Sequence, residues 1–290
     1  TISQNNKNWS NFEAMIPSLL DSYGVKNINK INEDLNYLQI KFSNFLFEII
    51  TNDVIRDIGN KSEKNKLAYS SLSNFLYDLD EQSYENIKFA KGTFHYDIFN
   101  FIFLNMNFTS LFDNYIYLDK YQFDPIPFKT VNTNFKFYPN PHNFNKGCNW
   151  NSDTCWSCYI NTEVVHPHGQ QYIPRSMLFG SNCERFKDNK EFDRFNKEYW
   201  AQYELKYSPL FNQTELFIIY GSAVGESDSW WWKKICESLE NGAELIVYSY
   251  DGEFSKKDFI QKYAKENAKT EIIDKNIFIV PVTEDIKFLQ

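Results

Sequence analysis

Three short segments of this 290-residue chain carry side chains that could do chemistry. The first, Leu104-Asn105-Met106-Asn107-Phe108-Thr109, ends an apolar run with amide and hydroxyl groups and leads towards Leu111, Asp113 and Tyr115. Such short donor and acceptor groups orient a ligand or, more commonly, cap a helix or shape a turn. The second, Val164-Val165-His166-Pro167-His168-Gly169, presents imidazoles on a backbone stiffened by Pro167, with Gly169 permitting a tight turn or close approach. Imidazole is the side chain best suited to exchange protons near neutral pH; its ordinary alternative is a satisfied, partly buried histidine. The third runs from Leu216 to Asp228, an apolar strand followed by a loop with Gly221, Ser222 and Gly225, then by acids and Trp230-Trp231-Trp232. Small residues and free amides at a helix start can hold a phosphate or ribose. The acids disfavour phosphate there, so Asp228 suits a sugar hydroxyl or serves as a capping acid.

Elements that position these groups follow from the apolar pattern. Trp9 to Leu20 predicts a helix stopped by Gly24, and Ile31 to Ile58 a longer one stopped by Gly59. Residues Asn60 to Lys66 read as a loop, and Leu67 to Leu79 as a third helix. After about residue 98, short apolar runs at Phe101–Leu104, Glu163–Val165, Met177–Phe179, Leu216–Tyr220, Leu245–Tyr248 and Ile277–Val280 read as strands. Helical stretches at Glu191–Lys206, Glu226–Leu239 and Lys256–Lys265 fall between several of them. The reading is an α/β fold, with a helical region over 1–97, a core over 98–290 and an irregular insertion at about 124–153. Ligands in such open sheets bind beyond the carboxyl ends of the strands.

Composition limits the partners. The net charge of −8 disfavours general nucleic-acid binding. No apolar run approaches a membrane helix, and the polar start contains no signal peptide. Five cysteines, an odd number in a long chain, fit reduced thiols in a cytoplasm. Cys155-Trp156-Ser157-Cys158, with Cys148 and His166 or His168, competes as a zinc site, but its irregular spacing makes ordinary thiols and no metal the expectation. In the tryptophan triplet, Trp230 is the position expected to be exposed and to suit a homo-oligomer contact.

Taken in this order, the segments resemble the abortive-infection AbiH family of bacterial anti-phage proteins, itself similar to the sirtuin-like NAD-binding fold. Asn107-Phe108-Thr109 resembles the family's Asn-Tyr-Thr motif, with Asp113 where an acid follows. His168-Gly169 resembles its His-Gly motif, and Tyr220 to Asp228 its Tyr-Gly-His-Ser-Leu-Gly-x-x-Asp motif, with Ser222 and Ala223 replacing His and Ser. Asn8 to Glu13 is similar to a Trp-containing early segment. Family members begin with a strand and a Gly-Asn-Gly-Phe-Asp loop that Thr1–Gly24 does not match, so the chain reads as an N-terminally truncated member.

The resemblance implies a sirtuin-like Rossmann-type parallel sheet and an NAD-cleaving, glycohydrolase-type effector of phage defence, responding to a phage-derived trigger. It implies Asn107, His168 and Asp228 as the catalytic set, with Thr109, Gly169, Gly221, Ser222 and Gly225 lining the nucleotide. Asn107 would orient the ribose and a water, His168 would accept a proton, and Ser222 and Asp228 would hold ribose hydroxyls. The alternative is a non-catalytic nucleotide-binding sensor using the same crevice.

Overall fold

The computed structural model describes residues 10–23, 27–118, 135–139, 155–180, 190–250, 252–284, 286 and 288. It is a mixed α/β structure with two three-stranded sheets. In the first, β1 (Ile98–Leu104) runs parallel to β3 (Trp156–Val165), in register from Ile98 opposite Tyr159 to Leu104 opposite Val165. The short β2 (Phe135–Phe137) pairs antiparallel with the start of β3. In the second, β4 (Leu216–Ile219), β5 (Glu244–Ser249) and β6 (Ile277–Pro281) are all parallel, with β5 central and buried throughout.

Two apolar layers join the sheets. One packs Phe99 and Ile160 of the first sheet with Ile246, Tyr248, Phe278 and Val280 of the second, under Leu72, Phe75 and Leu76. Leu72 belongs to α4 (Leu67–Ser73). The opposite layer packs Ile219, Leu245, Val247 and Ile277 against α8 (Tyr203–Gln213), α9 (Ser229–Glu240) and α10 (Lys256–Tyr263), and takes Leu104 and Val165 from the strand tips. Alternate residues of β4 and β5 thus feed opposite layers, which explains why these strands read as continuous apolar runs.

Elsewhere the elements depart from the sequence pattern. The long second helix is two: α2 (Ile28–Ile49) and α3 (Asn52–Asn65), separated where the Thr51 hydroxyl accepts the Val54 N–H. Gly59 does not end a helix. It lies inside α3 on a buried face with Ser62, and α3 packs on α6 (Leu111–Leu118). Small side chains there allow close approach, which offsets glycine's helix penalty of about 1 kcal/mol.

Met177–Phe179 is not a strand. Its apolar side chains enter a third cluster with α1 (Ser10–Tyr23) and α2, and its backbone bonds the Gln39 amide and the His168 carbonyl instead of a sheet. The stretch read as one helix over Glu191–Lys206 is a 3-10 turn (Lys190–Phe195), a single turn α7 (Lys197–Trp200) and then α8. Of the insertion at 124–153, residues 135–139 are described and supply β2; the rest lies outside the described residues. Trp230 is not exposed: all three tryptophans are buried, Trp230 against Tyr203 and Phe211 of α8. The packing of α8 across α9 covers the side that a lone helix would leave open.

Candidate functional site

The chemistry gathers where β1, β3 and β4 end. At the first tip, Asn105 is buried and organises the loop: its Oδ1 accepts the Asn107 N–H at 3.0 Å, and its Nδ2 donates to the Thr109 carbonyl at 3.3 Å. Asn107 is left exposed, with its carbonyl 3.2 Å from His166 Nδ1. The other ring nitrogen of His166 faces both carboxylate oxygens of Asp113, in the first turn of α6, at 2.9 and 3.0 Å. At least one ring nitrogen donates to its neighbour, and the tautomer decides which. His166 therefore ties β1, β3 and α6 together.

Two residues on, His168 behaves differently. Its ring is buried, and Nε2 lies 3.1 Å from Asp228 Oδ1 in the loop after β4. The contact is close enough for an ion pair but too oblique for a hydrogen bond, leaving Nε2 without a bonded partner. No described residue hydrogen-bonds Nδ1. The tripeptide His166-Pro167-His168 thus gives one imidazole to each of two acids, Asp113 and Asp228.

Asp228 has further partners. Lys197 Nζ donates to Oδ1 at 3.3 Å, and the Ser227 hydroxyl donates to Oδ2 at 3.2 Å. Lys197 is itself fully buried at the start of α7 and also donates to Glu13 Oε2 of α1 at 2.8 Å. Burial pushes the Asp228 carboxyl up, but the His168 ring and the Lys197 ammonium more than offset this and hold it well below the usual carboxylate range. Asp228 is therefore an ionised positioning group whose oxygens are already taken, rather than a free acceptor for ribose.

Two more polar atoms sit beside this cluster. The Tyr203 hydroxyl and Trp231 Nε1 are buried without hydrogen-bonded partners, adjacent to one another but misaligned. Burial, and then the Asp228 charge, push the Tyr203 phenol well above its ordinary value, so it stays protonated. Unpartnered buried polar atoms are uncommon; one of these, on His168, faces the Asp228 carboxylate, and the Tyr203 phenol feels its charge.

The glycines divide by role. Gly169 has φ +90°, and a Cβ there would fall 2.0 Å from the Ser176 carbonyl oxygen, so its close approach is to the protein's own backbone. Gly221 has φ +66° and a Cβ would meet nothing, leaving an open face beside the exposed Ser222. The Ser222 hydroxyl accepts the Val224 N–H at 3.2 Å, and the Gly225 carbonyl accepts Trp232 Nε1 at 2.9 Å. Thr109 lends its carbonyl to Asn105.

Glu13 enters the sequence reading only as the end of the early Trp-containing segment, and Lys197, 184 residues away, does not enter it at all. Their only signal is a charge placed within an apolar stripe: Glu13 beside Met15 and Ile16, Lys197 between Phe195 and Trp200. Among the described residues no group of three or more His, Cys, Asp or Glu could hold a metal ion. Cys158 faces the core of the first sheet, and burial, with Asp97 adding to it, pushes its thiol up to about 12. Cys148 and Cys183 lie outside the described residues. Among the described residues no helix is long and apolar enough to cross a membrane. No protein-family model, no curated protein and no solved structure matches this chain.

Proposed function

We propose that this chain is a nucleotide-cleaving hydrolase that acts on the N-glycosidic bond of a nicotinamide dinucleotide, in the cytoplasmic phage-defence role that its resemblance to AbiH implies. The single observation that carries the reading is the pairing of His168 with Asp228 across the tips of β3 and β4. A carboxylate against one imidazole nitrogen orients the ring and favours proton uptake at the other. The parallel strands, with helices on both faces, support a sirtuin-like Rossmann-type sheet whose ligand lies beyond the strand ends.

In this reading NAD is the substrate. The exposed Asn107 amide orients the ribose and the attacking water. Water oxygen bonds to the ribose anomeric carbon as the bond to the nicotinamide nitrogen breaks; nicotinamide leaves neutral with the electron pair, and the water's proton passes to His168. Asp228 and Lys197 hold the imidazole and balance its charge. The exposed loop at Gly221 and Ser222 offers hydroxyl and amide groups to the sugar and pyrophosphate. The test is release of nicotinamide from NAD by the purified chain and its loss in His168→Ala; NAD left intact under every condition tried sinks the reading.

The burial of His168 favours one rival, a sensor that binds the nucleotide without cleaving it and signals a phage-derived trigger. For a sensor, His168→Ala leaves nucleotide affinity nearly unchanged, with no turnover to lose.

A further inference from the structure

Outside the strand-tip site, an open cleft of about 300 Å³ is lined by Asn36 of α2, Arg175, Arg194 and Trp200. Its chemistry is unlike the rest of a chain carrying a net charge of −8. Arg175 lies in a 3-10 turn (Pro174–Ser176) and is exposed; Arg194 lies in the 3-10 turn before α7 and is partly buried. Neither guanidinium makes an ion pair among the described residues. Arg194 is instead steadied by neutral amides: Nη2 donates to Asn36 Oδ1 at 2.5 Å and to Gln39 Oε1 at 3.4 Å.

Two positive groups in one cleft repel one another. Burial, and the charge of Arg175 beside it, push Arg194 below its ordinary value, though a guanidinium keeps its proton throughout the working range. An arrangement that costs free energy when empty of anions gains when a multivalent anion bridges the two forks. The fourth wall adds a second requirement. Trp200, which also lines the cleft, is 53 % exposed, where most tryptophans would be covered. An aromatic face next to two guanidiniums fits a ligand that joins a phosphate to a flat ring.

We propose that this cleft is a binding site for a nucleoside monophosphate, with the phosphate between Arg175 and Arg194 and the base stacked on Trp200. Its volume lies at the lower end of small-molecule sites, which suits one nucleotide. The site does not depend on the hydrolase reading, because its residues are separate from Asn107, His168 and Asp228.

The test is calorimetric titration of the purified chain with AMP, adenosine and inorganic phosphate in low-salt buffer. AMP should bind more tightly than either fragment and weaken as salt is raised. Arg175→Ala, at an exposed position where folding should be unaffected, should weaken AMP at least tenfold and leave adenosine unchanged. Trp200→Ala should weaken AMP and adenosine and leave phosphate unchanged. The proposal is overturned if AMP does not bind, or if Arg175→Ala or Trp200→Ala leaves its affinity intact. Binding of a DNA or RNA oligonucleotide at this cleft in preference to AMP would overturn it equally.

Discussion

His168 Nε2 and Asp228 Oδ1 lie 3.1 Å apart although their strands, β3 and β4, belong to different sheets. The contact clamps together the chain segments that follow the two strands. Because the folded-state carboxyl of Asp228 is depressed, its contribution is fully present above the ordinary Asp value of 3.8 and is lost as pH falls below it, towards the depressed value. Urea midpoints of the parent chain should therefore drop between pH 5 and pH 3. Asp228→Asn, lower at pH 6, should change less across that window. Parallel curves for the two proteins would show that the clamp contributes nothing.

The buried ammonium of Lys197 holds Glu13 and Asp228 at once. Removing it takes the buried counter-charge from Glu13 and leaves Asp228 with His168 and Ser227, a kind of change that costs about 3–5 kcal/mol in buried pairs. Lys197→Met should lose stability on that scale in urea denaturation. Adding Glu13→Gln should restore part of the loss, because one uncompensated charge is removed with it. If the double variant is no more stable than the single one, the two residues do not act as a pair.

How far these groups could be read in advance depends on how local their determinants are. Strands β4, β5 and β6 are legible because each is a continuous apolar run feeding two layers. Met177–Phe179 has the same local pattern, yet α2 and the His168 carbonyl take its backbone bonds, a choice made by residues well over a hundred positions away and by a neighbouring turn. Asn107, His168 and Asp228 are legible as strand-end polar groups. The pairing of His168 with Asp228 is a property of the packing, as is the capture of Asp228 by Lys197. Gly59 misleads for the same reason, since its apparent stop signal is cancelled by contact with α6.

His166 and His168 separate by what their nitrogens face. His168→Ala should lower nicotinamide release by about 100- to 10,000-fold, the range for a proton-transfer group. Asp113→Asn acts through His166, which pins the Asn107 carbonyl to the β3 tip. It should raise KM more than it lowers kcat, because the exposed amide of Asn107 loses its fixed position. Equal loss of kcat in both variants, with KM unchanged, would place His166 in the chemistry and contradict the assignment.

Gly169 and Gly221 both adopt positive φ but face opposite surroundings. Gly169→Ala combines backbone strain with a Cβ placed 2.0 Å from the Ser176 oxygen. The backbone must move, at about 2–5 kcal/mol. Gly221→Ala meets open space, and only the left-handed conformation costs it, about 1–2 kcal/mol. Thermal unfolding should rank the two in that order. If the crevice receives a nucleotide at Gly221, the methyl group projects into the ligand's path, so NAD affinity should fall for Gly221→Ala by more than its stability loss explains. An Ala at 221 that binds NAD as the parent does would move the ligand away from this loop.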